Sequence, residues 1–235
     1  MPDTEGYKDR THAGRALARQ LRAALGPGDQ DDLLVLGLPR GGVPVAFEVA
    51  QLLGAELDVV LVRKLGMPHH PELAMGAIGS GGVRVLQPGV PGLMGVTQQQ
   101  VDEATRRELL ELERRDRRYR GGRAWPQVGG RTVVVVDDGI ATGATMEAAL
   151  QVLRRQGPAR LIVATPVGAP DSVARLNAEA DAVVCPLVPP RFQAVGQFYR
   201  NFGQTGDEEV QDLLAQAWAG PAARHAHQNN RKEQT

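Results

Sequence analysis

Cysteine is almost absent from this 235-residue chain, which contains Cys185 and no other. One thiol cannot close an internal disulfide, so a disulfide-built scaffold is excluded. In the apolar stretch DAVVCPL it reads as a buried thiol in a reducing compartment. Net charge is also lacking: 27 basic residues balance 27 acidic ones, so no global field steers the chain to nucleic acid or to a membrane surface. No apolar run approaches the roughly 18 residues of a membrane span. The first ten residues, MPDTEGYKDR, lack the apolar centre of a secretory leader, and the expectation is a cytoplasmic protein. Lysine is scarce too. Lys8, Lys64 and Lys232 are the only three, which leaves Lys64 as the single lysine inside the expected fold.

What is present is concentrated in Val133 to Thr145, VVVVDDGIATGAT. Four consecutive valines describe a strand buried on both faces of a parallel sheet. The strand ends in the adjacent carboxylates Asp137 and Asp138. A short loop follows with Gly139, Ile140, Ala141, Thr142, Gly143, Ala144 and Thr145, and then a helix begins around Met146. Strand, tight loop and helix start together present free backbone N–H groups, which bind an anion, and the threonine hydroxyls add donors. Carboxylates repel phosphate but accept hydrogen bonds from a sugar diol or share a metal with a polyol. A phosphate and a diol held side by side describe a ribose 5-phosphate. The loop is not a Walker A sequence, which needs Gly-Lys-Ser/Thr. Nor is it a dinucleotide fingerprint or a calcium loop.

The rest of the chain alternates strands and helices. Helices are expected over Tyr7 to Leu25 with Thr11 as N-cap, Val43 to Leu53 with Gly54 as C-cap, Thr97 to Tyr119 with a Thr97/Gln100 capping box, and Ser172 to Ala178. A last helix, capped by Thr205 and Glu208, should end near Ala219. Strands are expected at Leu33 to Leu38, Leu57 to Val62, Arg160 to Thr165 and Ala182 to Leu187. Gly66 to Gly82 is glycine-rich and weakly patterned, with a short strand possible at Val83 to Leu86. Such alternation implies an α/β fold with a parallel sheet, flanking helices and ligands at the carboxyl ends of the strands. The expected layout is one domain over residues 1–220, with a flexible-loop and helical insertion at 66–130, a C-terminal hood and helix at 188–220, and a disordered tail at 221–235.

Further candidates lie at other strand ends. Pro39, Arg40, Gly41 and Gly42 open a helix, with glycines for close approach and a forked cation for pyrophosphate. Arg63 and Lys64 close the next strand. Phe192, Phe198, Tyr199 and Phe202 make four of the chain's nine aromatic residues, so either core packing or stacking on a planar acceptor must account for them. His69-His70-Pro71-Glu72 lacks the i, i+4 spacing of a helical metal site. Eight arginines between Arg106 and Arg123, interleaved with acids, read as a charged helix face, an oligomer contact or a lid.

The motif VVVVDDGIATGAT resembles the phosphoribosyl-pyrophosphate (PRPP) loop of type I phosphoribosyltransferases. The stretches LPRGGVPVA and VRKLG are similar to those of a poorly characterised bacterial branch of that family. The resemblance spans Leu33 to about Phe202. It implies transfer of a 5-phosphoribosyl group from PRPP to a nitrogen acceptor, such as a nucleobase or related heterocycle, with release of pyrophosphate. A non-catalytic PRPP or nucleotide sensor with the same fold is the alternative. It also implies catalytic roles for Arg40, Lys64, Asp137 and Asp138, with Asp138 the candidate base. Pyrophosphate would be held by Pro39 to Gly42, Arg63 and Lys64, and PRPP by 137–145. Phe192, Phe198 and Tyr199 would meet the acceptor. Mg²⁺ would arrive with PRPP, Asp137 and Asp138 being its possible protein ligands, and the protein would form a homodimer without nucleic-acid or membrane partners. The 6-oxopurine and orotate types carry lysines that are missing here after the PRPP loop and between Gly66 and Gly130.

Overall fold

The computed structural model describes residues 6–68 and 70–232, together with their side chains except those of 71, 72, 91 and 220–232. Helix α1 (Arg10–Ala24) leads into β1 (Leu33–Gly37), α2 (Gly42–Leu53) and β2 (Glu56–Val59). A three-strand excursion follows: β3 (Val62–Met67), β4 (His70–Gly79) and β5 (Val83–Leu86). The short α3 (Val90–Leu93) and the long α4 (Gln98–Arg120) come next. The chain then returns through β6 (Thr132–Val136), α5 (Ala144–Arg154), β7 (Arg160–Ala164), α6 (Pro170–Glu179) and β8 (Ala182–Val184), and finishes with α7 (Asp207–Lys232).

The main sheet is five-stranded and parallel, in the order β2-β1-β6-β7-β8. Its middle strands are buried at every position because helices cover both faces. Alternate residues serve opposite layers. Leu33, Val35, Val134, Val136 and Ile162 face α1, α2 and α7. Leu34, Leu36, Val133, Val135 and Leu161 face Met146, Leu150 and Leu153 of α5 and Leu176 of α6. Period-two valines on the central strand thus feed two cores at once.

Several expected boundaries are corrected. Asp9, not Thr11, caps α1, its carboxylate accepting from His12 N at 2.8 Å. Leu57 to Val62 is not one strand. Val60 still donates to Gly37 O, but Leu61 N turns to the buried Ser80 hydroxyl at 2.9 Å, and the chain leaves the sheet while staying buried. Arg63 and Lys64 therefore lie inside β3, not at the end of a main-sheet strand. The region from Gly66 to Gly82 is mostly antiparallel sheet, β3-β4-β5. Leu65, Met75 and Ile78 face Val101 and Ala104 of α4, while Ala77 meets Ala148 and Val152 of α5. The last helix starts at Asp207, where three acids in its first turn complement the helix dipole. Thr205 does not cap it: among the described residues its buried hydroxyl has no partner. Helix α7 passes the expected end near Ala219 and continues to Lys232, through most of the stretch read as a disordered tail. His69 and the side chains of Pro71 and Glu72 lie outside the described residues.

Candidate active site

Strands β1 and β6 are neighbours in register, Gly37 opposite Val136, so the loops that leave them emerge side by side. Leu38 N donates to Val136 O at 2.9 Å and extends the pairing by one residue. The chain then passes a cis Pro39–Arg40 peptide and enters α2. Gly41 lies directly against Asp138, where a β-carbon would run into the carboxylate. One at Gly42 would stand 2.6 Å from Val136 O. The two expected loops are thus in contact, and glycine is required there for space rather than for backbone freedom.

Asp137 and Asp138 follow β6. Asp138 N donates to Asp137 Oδ1 at 2.8 Å, which fixes the first carboxylate. Both side chains are half-buried, and both hold their protons more tightly than an ordinary aspartate. Burial is the main cause in each, joined in Asp137 by repulsion from Asp138. Asp138 is tempered by a cation that sequence reading missed. Arg10 of α1 reaches 128 residues along the chain to place Nε 2.7 Å from Asp138 Oδ2. Its Nη1 donates to Gly203 O at 2.7 Å, and its guanidinium lies 4.2 Å from the centre of the Phe202 ring. No local pattern in α1 marks Arg10, because its partner is set by tertiary packing alone.

The loop from Gly139 to Gly143 is held from behind. Ser172 of α6 donates to Ala141 O at 2.6 Å, and Arg175 donates to Thr142 O at 2.7 Å. In a planar trans peptide the N–H points opposite the carbonyl, so tying back those two carbonyls turns the N–H groups of Thr142 and Gly143 toward the open side. Among the described residues, neither of these N–H groups nor that of Ala141 makes a hydrogen bond. Gly143 adopts φ +77° as it leads into α5, a conformation that favours glycine. The result is an anion cradle at a helix start. Ser172 and Arg175 carry no motif that could have disclosed them.

The remaining candidates divide. Arg40 is partly exposed, 3.9 Å from Asp207 of α7. Asp207 also receives the Tyr119 hydroxyl at 2.5 Å and Arg118 at 2.9 Å, and the Tyr119 bond heads the causes that hold its carboxyl below the usual range. Arg63 is bound to Glu108 of α4 at 2.7 Å. Lys64 is exposed and, among the described residues, its ammonium makes no hydrogen bond or ion pair. Phe192 and Phe198 stack on each other at 5.6 Å, in a cluster with Tyr7, Val167 and Tyr199. Tyr199 is buried and spends its hydroxyl on Asp138 O at 2.5 Å. Tyr199 ties this cluster to the acidic pair, and Phe202, with Arg10 on its face, is the more exposed of the aromatic residues here. Cys185 gives its thiol to Leu187 O at 3.3 Å, and burial pushes that thiol up to about 12, which leaves no thiolate for nucleophilic chemistry.

The chain is similar to known proteins in sequence and in fold. The family model for the phosphoribosyl transferase domain matches residues 5–201, and the chain belongs to that family. A Mycobacterium tuberculosis protein of strain H37Rv, named "Putative phosphoribosyl transferase Rv0571c", is 52% identical over 211 residues. That match covers 90% of this chain and 47% of the relative, and its counterpart from strain CDC 1551 matches equally. The chain thus spans about half the length of the curated relatives it matches. The crystal structure of TT1426 from Thermus thermophilus superposes with a TM-score of 0.80 at 48% identity, covering 89% of this chain and 97% of that one.

Proposed function

We propose that this domain transfers a 5-phosphoribosyl group from PRPP to the nitrogen of a small acceptor, a nucleobase or related heterocycle, releasing pyrophosphate. The observation that carries the reading is the contact between the two loops. It sets an acidic pair beside an anion cradle on one side and a Gly41–Gly42 entry with Arg40 on the other.

In this reading the amides of Thr142 and Gly143 take the 5-phosphate. Asp137 and Asp138 accept hydrogen bonds from the ribose hydroxyls and face the positive charge that develops on the ring. The bond from ribose C1 to the pyrophosphate oxygen breaks, and pyrophosphate leaves with the electron pair. The acceptor nitrogen donates its lone pair to C1, and its proton passes to a base or to water. Arg40 and Lys64 offset charge on the leaving group. Asp138 serves as base only through Oδ1, because Arg10 occupies Oδ2. Among the described residues no cluster of three His, Cys, Asp or Glu side chains could cage a metal. Asp137 and Asp138 would hold Mg²⁺ arriving with the substrate, and the ion would supply charge neutralisation at the diphosphate.

The test is calorimetric titration of PRPP, with and without Mg²⁺, into the wild-type protein and the Asp137→Asn/Asp138→Asn double variant. Binding by wild type that is lost in the double variant supports the reading and justifies an acceptor screen by pyrophosphate release. A wild-type protein that does not bind PRPP overturns it.

A further inference from the structure

Helix α4 turns Val101, Ala104, Glu108, Leu112, Arg115 and Tyr119 inward, at spacings of three and four. Val101 and Ala104 cover the small sheet, and Leu112 and Tyr119 join the main core. Glu108 and Arg115 interrupt this stripe with charge. A helix places charge on its packed face only where something compensates it.

Both residues lie beside open space. One cavity, of about 230 Å³, is lined by Pro39 of the first loop, Thr145 at the end of the phosphate loop, Arg63 and Arg115. A second, of about 350 Å³, shares Val62, Arg63 and Thr145 with it and adds Lys64, Arg107 and Glu108. Four cations therefore face these joined cavities, against Glu108 alone among the lining residues. Two acids hold the arginines in place. Glu108 binds Arg63 at 2.7 Å and Arg107 at 3.3 Å, and Glu111 binds Arg115 at 2.8 Å. A concave surface with excess positive charge collects an anion, and guanidinium forks match the geometry of phosphate oxygens.

We propose that α4 is a fixed wall of the substrate site, and that Arg115, assisted by Arg107, binds the pyrophosphate moiety of PRPP. The inference rests on the phosphoribosyl-transfer reading and extends it to residues outside the family's loops. Glu111 and Glu108 hold the arginines beside the cavity, and the incoming anion competes with these carboxylates for them.

The test is calorimetric titration of magnesium pyrophosphate and, separately, of ribose 5-phosphate. The proteins are wild type, Arg115→Ala, Arg107→Ala and Arg117→Ala, with melting curves to establish that each is folded. Arg117 is on the same helix but points outward, 3.8 Å from Glu113. Arg115→Ala should weaken pyrophosphate binding by about tenfold or more, the scale of a lost charge-assisted hydrogen bond. Ribose 5-phosphate affinity should stay unchanged, and Arg117→Ala should match wild type. If Arg115→Ala does not fold, Arg115→Gln is read in its place. Unchanged pyrophosphate affinity in the Arg115 variant, an equal loss for both ligands, or no pyrophosphate binding by wild type overturns the proposal. Wild type that takes up pyrophosphate but neither PRPP nor ribose 5-phosphate defeats the transfer reading and with it the assignment of Arg115 to PRPP. Wild type that binds PRPP, with an indifferent Arg115 variant, defeats only the role of α4.

Discussion

Asp137 is a residue in an unfavourable place for its own charge. A carboxyl whose native pKa is raised contributes stability that is fully present below its unfolded pKa and is lost as pH rises through the native value. Asp137→Asn should therefore stabilise the unliganded protein at neutral pH, and the advantage should fade toward about pH 4, the unfolded value for aspartate. Melting temperatures of the two proteins across that range decide it, and an unstabilised variant at neutral pH would sink the idea. The same substitution should cost PRPP affinity, a trade of stability for function. Gly41 is equally constrained. In Gly41→Ala the new β-carbon meets the Asp138 carboxylate. Urea unfolding should show a loss of about 1–3 kcal/mol from overpacking, with Asp138 pushed off Arg10 and PRPP binding weakened. Of these residues, the acid pair and the glycines are legible from sequence because their chemistry is local. Arg10, Ser172, Arg175 and Asp207 are not, because each acts on a partner brought close only by folding.

At the scale of elements, α4 shows both sides. Its start is legible: Thr97 accepts from Gln100 N, and Gln100 returns the bond to Thr97 N at 2.9 Å, so the expected capping box is formed. Its far end is tied by a pair that no local pattern announces. Arg120 donates to both oxygens of Asp58 on β2, at 2.9 and 3.1 Å, and both residues are buried. Removing the acid leaves a buried guanidinium short of its partner. Asp58→Ala should cost about 3–5 kcal/mol, against about 1 kcal/mol for Thr97→Ala, both measured by urea unfolding. Equal losses would mean that α4 is held mainly by its cap. The antiparallel sheet was hidden for a related reason. Its glycines stand where backbone or side chain approaches closely: a β-carbon at Gly76 would run into Val85 O, and one at Gly79 would lie 2.8 Å from Val152 Cγ1. Glycine chosen for close approach erases the alternation by which a strand is recognised.

For the whole molecule, ligand and fold are linked by mass action. PRPP with Mg²⁺ at about a hundred times its Kd should stabilise the protein by about 2.7 kcal/mol. That appears as a raised melting temperature in wild type and as no shift in the Asp137→Asn/Asp138→Asn variant. An equal rise in both would place the ligand elsewhere. Among the described residues no helix is long and apolar enough to cross a membrane. The sequence by itself determined the parallel core, the order of its helices and the place of the acidic pair and glycine-rich loop after the central strand. Those depend on hydrophobic period, caps and glycines, which act within a few residues. Only the tertiary structure decided that Arg63 and Lys64 sit in a second sheet, that Arg10 holds Asp138, and that Arg115 of α4 faces a cavity beside Pro39 and Thr145. A charge has no intrinsic partner at long sequence separation; burial and chain topology choose one for it.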